Sequence, residues 1–348
     1  MAERQQPEER KVQFTGGSTY TVSLPKAWAS EQGIEPGHRV HLYSRGGRLL
    51  IVRADHDDSR RTKRIDADAR QPTDLRRTVI AAYVAGCEEI RVEGSLDEAQ
   101  RRAVRDAVAG LVGIEVHEET ETAVVARTML DVADLSPEQT LVQMELTALS
   151  MHENAIQAAL AGDAEEGRRI QRQDDDVDRL FGLICREFQQ SLIDVRLSQG
   201  GNGLTTFEYY SAARQLERIA DHAEKIATVA ERVDAPVPPE PGEQLVTLGE
   251  RSRQLVHQAL SGILDGLDST ALEAALRAGD EIAADAATLD RELYDIDDGY
   301  LLGSILESIV RTAEYGRNVA EAGLQATMRD QQVGHDDTEN RRQDGTTY

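Results

Sequence analysis

One arrangement of side chains occurs twice in this chain. Arg214, Glu217, Asp221 and Glu224 are followed, 97 residues later, by Arg311, Glu314, Asn318 and Glu321. Steps of three, four and three residues set each group of four on one face of a helix. Two carboxylates four residues apart on a helix can hold one hard cation when a neighbouring helix adds further oxygens. In the first copy that neighbour carries Asp174, Asp175, Asp176 and Asp178. Asp178 is the strongest candidate there, because it stands four residues from Asp174. The candidate metal ligands are therefore Asp178, Glu217 and Asp221 in the first copy, and Glu314 and Asn318 in the second. The ion would be a divalent metal or iron. His222 offers a nitrogen for iron or zinc but reads as facing another way. In the second copy Asn318 brings only a neutral carbonyl, and Leu293 and Tyr294 are the residues that align with Asp178. The same spacing also describes an ordinary solvated acidic face, and that alternative stays open.

No other cluster makes a case for catalysis. The eight His are scattered, and no Ser-His-Asp or Cys-His arrangement is readable. The glycine-rich residues 200–203 are not followed by Lys and Ser or Thr, so they form no phosphate-cradling P-loop and read as a flexible interhelix loop. Cys87 and Cys185 lie far apart and outside any metal-like spacing, so they read as buried free thiols in a reducing compartment. Trp28 reads as the core anchor of the N-terminal part, and Met144 and Met151 as bundle core. The chain is therefore expected not to be an enzyme.

The elements that must carry these residues fall into three blocks of the 348-residue chain. Residues 1–9 are a polar tail. Residues 10–54 are β-rich: Val12 and Phe14 alternate with polar neighbours, as do Tyr20, Val22 and Leu24 after the Gly16-Gly17 turn. Pro25 then opens a short helix ending near Gly33. Val40, Leu42 and residues 49–52 supply two further strands around a glycine turn. So short a stretch has too little core for a monomer, and pairing of two copies would supply the missing burial. Residues 55–71 read as a charged linker, and 72–130 as an αβ connecting module. Within that module, helices at 72–85 and 96–111 alternate with strands at 89–92, 114–117 and 122–126. From Ser136, an N-cap followed by Pro137, the pattern is helical. Two three-helix repeats, 136–232 and 243–328, are joined by a proline-rich segment at 236–241. Ala-Gly-Asp, at 161–163 and again at 278–280, stands upstream of each motif. Residues 329–348 lose apolar periodicity and are expected to be disordered.

Charge separates the blocks. The net charge is −24, yet residues 1–64 carry +4 and the rest −28. A strongly acidic chain is a poor nucleic-acid ligand as a whole, so any such contact belongs to the basic N-terminal end. Only four basic residues are Lys: Lys11, Lys26, Lys63 and Lys225. Acidic surfaces with so little Lys read as halophilic, adapted to a salt-rich cytoplasm, or as a GC-rich genome's preference for Arg. No run of eighteen apolar residues is present, so no spanning helix is expected. A polar N-terminus without an apolar stretch argues against a secretory signal, so a cytoplasmic protein is expected.

Two family resemblances add to this reading. Gln13, Gly17-Ser18, Val22-Ser23-Leu24-Pro25-Lys26, Trp28, Gly33 and Gly37 resemble the AbrB/SpoVT/MazE DNA-binding family in its archaeal form, over residues 10–54. The resemblance implies an intertwined, swapped-hairpin β dimer that binds promoter DNA. Its contacts would be Lys11, Ser18, Thr19, Ser23 and Lys26, with Arg45 and Arg48 as weaker candidates. Basic and hydroxyl side chains suit phosphates and base edges, although some family members only dimerise. Residues 217–224, with the preceding Arg214, resemble the E/D-x-x-x-D motif of PhoU proteins, and the two-repeat layout matches that family over 72–328. This resemblance implies repression of phosphate uptake through the Pst transporter, with its ABC-transporter ATPase or an associated phosphate-signalling protein as partner. It also implies metal at the acidic faces in some members. The whole reads as a multidomain regulator: an AbrB-like domain, an αβ module and an all-α PhoU-like bundle of two three-helix repeats. Two alternatives stand beside it, an adaptor that dimerises and binds the transporter ATPase, and a metal-binding or metal-sensing protein.

Overall fold

The computed structural model describes residues 8–45, 48–53, 61–129, 136–193, 204–233, 237, 239–294, 296 and 299–343. Residues 1–7 of the expected 1–9 tail, the glycine turn at 46–47, residues 55–60 of the expected linker and the loop at 200–203 lie outside the described residues. The chain divides into two units, 1–60 and 61–348.

The first unit holds β1 (Gln13–Thr15), β2 (Thr19–Thr21), α1 (Lys26–Glu31), β3 (Val40–Arg45) and β4 (Arg48–Arg53). β1 and β2 form an antiparallel hairpin in which Gln13 faces Thr21 and Thr15 faces Thr19. Gly16 and Gly17 turn it with φ of +67° and +80°, a region closed to most side chains. β3 and β4 form a second hairpin from Val40↔Arg53 to Arg45↔Arg48. None of the described residues 8–53 is buried. Phe14 is 61% exposed, Tyr20 75% and Leu42 58%. The Phe14 and Tyr20 rings meet across the hairpin at 5.3 Å, yet no core encloses them. Trp28, expected as an anchor, is only half-buried.

The second unit opens with β5 (Thr62–Asp66), α2 (Pro72–Val84), β6 (Glu89–Glu93), α3 (Glu98–Ala109), β7 (Ile114–Glu119) and β8 (Ala123–Thr128). β5 corrects the linker expectation for 55–71. It pairs in parallel with β6, and the sheet order is β5-β6-β8-β7. Ile65 is its one buried residue, so the alternation that marks a strand is missing from the sequence. A parallel partner reached over a helix leaves no local turn signal either. α2 and α3 bury Leu75, Val79, Tyr83, Val104 and Val108 with the sheet residues Ile90, Val92 and Val124. Asp97 and Gln100 form a capping box at the start of α3. The Gln100 side chain also donates to the Ala67 and Arg70 carbonyls, tying α3 to the end of β5.

Six helices follow: α4 (Pro137–Ala161), α5 (Ala164–Ile193), α6 (Thr206–Val229), α7 (Pro239–Leu264), α8 (Ser269–Leu293) and α9 (Gly299–Gln343). They share one core of Leu, Ile, Val and Ala side chains, with Met144 and Met151 at its centre. Ser136 caps α4 through the Gln139 amide, and Gly162 ends it in the left-handed region with φ +67°. The two Ala-Gly-Asp sequences are not equivalent. Gly162 is a helix stop, whereas Gly279 lies inside α8, where an added side chain would clash with Arg317. α9 runs through Gln343, past the point at 328 where disorder was expected. Residues 329–343 contain no proline to stop it. Among the described residues, no helix is long and apolar enough to cross a membrane.

Candidate functional site

α5 and α6 approach closely because Gly167 leaves room. A Cβ at that position would lie 2.7 Å from the Ala227 carbonyl oxygen. This close packing brings the acidic stretch of α5 against the acidic face of α6, in the manner the sequence spacing anticipates. Burial pushes the Asp174 carboxyl up to about 7, helped by the charges of Asp178, Asp221, Glu224 and Glu217. Burial also raises Asp178, with Asp221 and Asp175 adding to it and Arg76 of α2 opposing. Glu217 is raised by burial and by Asp221, against the pull of Arg214. Asp174 Oδ1 and Glu217 Oε2 are buried and lack hydrogen-bond partners. The Arg214 guanidinium sits 3.7 Å from Glu217 Oε1 and over the Phe181 ring, so the first residue of the motif is an intrahelical counter-ion.

Carboxylates with lone pairs directed into a half-buried face have the donor chemistry of a hard-cation site. As the side chains stand, however, no three His, Cys, Asp or Glu among the described residues converge on a metal position. His222 faces away from the carboxylates. Its Nδ1 lies 3.2 Å from Ser308 Oγ and its Nε2 3.3 Å from the Tyr315 hydroxyl. Burial pushes it down to about 4, so it is neutral at physiological pH.

The second copy of the motif has other surroundings. Arg311 binds Glu314 at 2.6 Å, and the Asn318 amide donates to Gln215 Oε1 at 3.2 Å. Gly279 packs against Arg317, and Leu272 against Gly323, which sets residues 277–280 of α8 opposite Asn318. Leu293 and Tyr294, expected there from the sequence, lie a full segment further on. The motif's own 97-residue spacing, carried from Asp178, points instead to Ala275, close to that stretch.

The expected nucleic-acid contacts lie on the first unit. Lys11, Ser18, Thr19, Ser23, Lys26 and Arg48 are exposed. Ser18 and Thr19 stand at the tip of the β1–β2 hairpin, and Lys11 and Ser23 lie beyond its open end. Lys26 begins α1. Arg45 pairs with Arg48 in the β3–β4 register; its side chain is outside the described residues.

Sequence reasoning missed Arg186. It is 1% exposed, and its Nη1 donates to the Tyr83 carbonyl at 2.6 Å and the Cys87 carbonyl at 2.8 Å. Its Nη2 lies 3.3 Å from Thr128 Oγ1, and the guanidinium covers the Tyr83 ring at 4.8 Å. One charged side chain of α5 thus fastens the αβ module to the bundle. Cys87 and Cys185 are free and half-buried. Burial pushes the Cys185 thiol up to about 11, which makes it unreactive.

Comparison with known proteins matches two segments to families. Residues 141–230 match the PhoU domain. Residues 13–58 match the antidote-toxin recognition MazE, bacterial antitoxin family. Among solved structures, PhoU from Pseudomonas aeruginosa is 18% identical, aligning 55% of this chain with 95% of its own at a TM-score of 0.48. The phosphate transport system regulatory protein PhoU from Streptococcus pneumoniae is also 18% identical, with 56% and 94% covered at a TM-score of 0.49. No curated protein matches the chain. The fold is thus a small β-rich N-terminal region followed by a helical PhoU-like bundle.

Proposed function

We propose that this chain is a DNA-binding regulator of phosphate uptake, acting as a negative regulator of the Pst transport system. It is not an enzyme in this reading. The observation that carries it is the joining, in one chain, of a MazE/AbrB-type segment to a PhoU-type segment. A unit of that size with no buried residue among those described calls for a second copy to cover its apolar side chains. Two copies also double the local positive charge offered to phosphates. The basic and hydroxyl residues Lys11, Ser18, Thr19, Ser23 and Lys26 are then the DNA contacts. The PhoU-like bundle senses phosphate status through the transporter ATPase or an associated signalling protein. Regulation requires two states of the dimer that differ in DNA affinity. The test is replacement of Lys11 and Lys26 by Glu in the host. Loss of phosphate-dependent repression is expected; unchanged repression would favour an adaptor that dimerises through the first unit and binds the ATPase without touching DNA.

A second reading is favoured by the orphaned carboxylate oxygens. The face formed by Asp174, Asp178, Glu217 and Asp221 would hold a divalent metal or iron. Such an ion would supply positive charge to carboxylates that burial otherwise pushes toward protonation.

A further inference from the structure

Acidic residues outnumber basic ones in this chain by 63 to 39. Even so, three basic residues gather at the seam between the αβ module and α5 without a carboxylate. Arg61, Lys63 and Arg186 form no ion pair among the described residues. Arg186 is 1% exposed. Its guanidinium meets only neutral groups: the Tyr83 and Cys87 carbonyls, the Thr128 hydroxyl and the Tyr83 ring. Its Nε is buried without a partner, and so is Nη1 of Arg61. Arg61 Nη1 and the Gln190 amide nitrogen stand 3.2 and 3.5 Å from the point that a Cβ on Gly86 would occupy. The Gln190 amide makes no hydrogen bond among the described residues. The three cations share one neighbour, the Cys87 thiol: burial raises it, and Arg186, Lys63 and Arg61 pull it back. Glu88 acts on Arg186 through space but pairs with none of the three.

Grouped cations without a counter-ion repel one another, and the buried one carries an uncompensated desolvation cost. We propose that this seam binds a small divalent tetrahedral oxyanion, inorganic phosphate or sulfate, held by Arg61, Lys63 and the free Nε edge of Arg186, with Gln190 as a neutral donor. Guanidinium groups match the oxygens of such an anion geometrically. Three positive charges favour a dianion over a single carboxylate. Arg61 and Cys87 are half-buried and Lys63 is exposed, so the seam is open to solvent on their side. Arg186 belongs to α5, and Arg61 is the first residue of the second unit. The anion therefore ties the bundle to the point where the chain leaves for the N-terminal unit. The site stands on its own geometry and does not depend on the regulatory reading, to which it adds a direct contact with phosphate.

The test is calorimetric titration of the full chain with sodium phosphate and, separately, sodium sulfate at equal ionic strength. Saturation at one anion per chain is expected. Arg61→Gln should weaken binding roughly tenfold or more, as loss of a charge-assisted hydrogen bond does, and Lys63→Gln should weaken it severalfold. Lys225→Gln, on α6, should leave it unchanged. Melting curves without anion check that the variants fold; the exposed Lys63 serves alone if Arg61→Gln does not. Phosphate that displaces sulfate makes this a phosphate site, and sulfate that binds as well or better makes it a general oxyanion site. Binding untouched by substitution of Arg61 and Lys63, or no saturation with either anion, overturns the proposal.

Discussion

At the residue scale, the carboxylates of the first repeat are coupled to pH. Asp174 has its folded pKa raised to about 7 from the ordinary 3.8. A raised carboxyl contributes stability that is fully present below the unfolded value and is lost as pH rises through the folded one. Asp174→Asn should therefore match the wild type near pH 4 and exceed it at pH 8, by about 1–3 kcal/mol. Thermal unfolding of both proteins at pH 4, 6 and 8 checks this; a gap that is constant across pH would contradict it. Arg186 belongs to the same scale. Its charge is held by two backbone carbonyls and one hydroxyl in a buried site. Arg186→Met is expected to cost about 2–4 kcal/mol, because both carbonyls lose their donor. Arg186→Lys should not rescue it, since a point charge cannot reach both carbonyls and Thr128 as a planar fork does. Denaturant unfolding of the two variants gives the comparison.

At the element scale, close approach of α5 and α6 is what assembles the acidic face, and Gly167 permits it. Gly167→Val should push the helices apart, destabilise the bundle by about 1–3 kcal/mol, and lower the pKa of Asp174 toward its ordinary value by letting water in. A pH titration followed by carboxyl NMR signals reads the second effect. The helical elements were legible in the sequence because their cues are local: Ser136-Pro137 starts α4, Gly162 stops it, and the Arg-x-x-Glu-x-x-x-Asp spacing marks α6. The helical spacing of the first-repeat carboxylates was legible for the same reason. β5 was not, since its partner β6 is separated from it by α2 and only Ile65 faces inward. Arg186 was hidden for a related cause: its partners are main-chain carbonyls about a hundred residues away, which carry no side-chain signature. The placement of Leu293 and Tyr294 beside the second motif departs from the 97-residue spacing, which points from Asp178 to Ala275, near the residues that Gly279 and Gly323 set opposite Asn318.

At the scale of the whole molecule, the proposed pairing of two copies is supported by the N-terminal unit, among whose described residues none is buried. Phe14→Asp with Leu42→Asp places charge on two of its most exposed apolar positions and should shift the full chain from dimer to monomer in sedimentation. A wild-type chain that sediments as a monomer at micromolar concentration would contradict the proposed pairing. The charge distribution argues the same division of labour. The first 64 residues are net positive and the remainder is net −28, which suits the proposed nucleic-acid contact to the N-terminal end. The most direct measurement of that account is genome-wide chromatin occupancy of a tagged copy in its host, in phosphate-rich and phosphate-starved cells. Discrete peaks at phosphate-transport promoters, changing with phosphate supply and lost in the Lys11→Glu/Lys26→Glu variant, are the predicted result. Absence of enrichment in both conditions would contradict it.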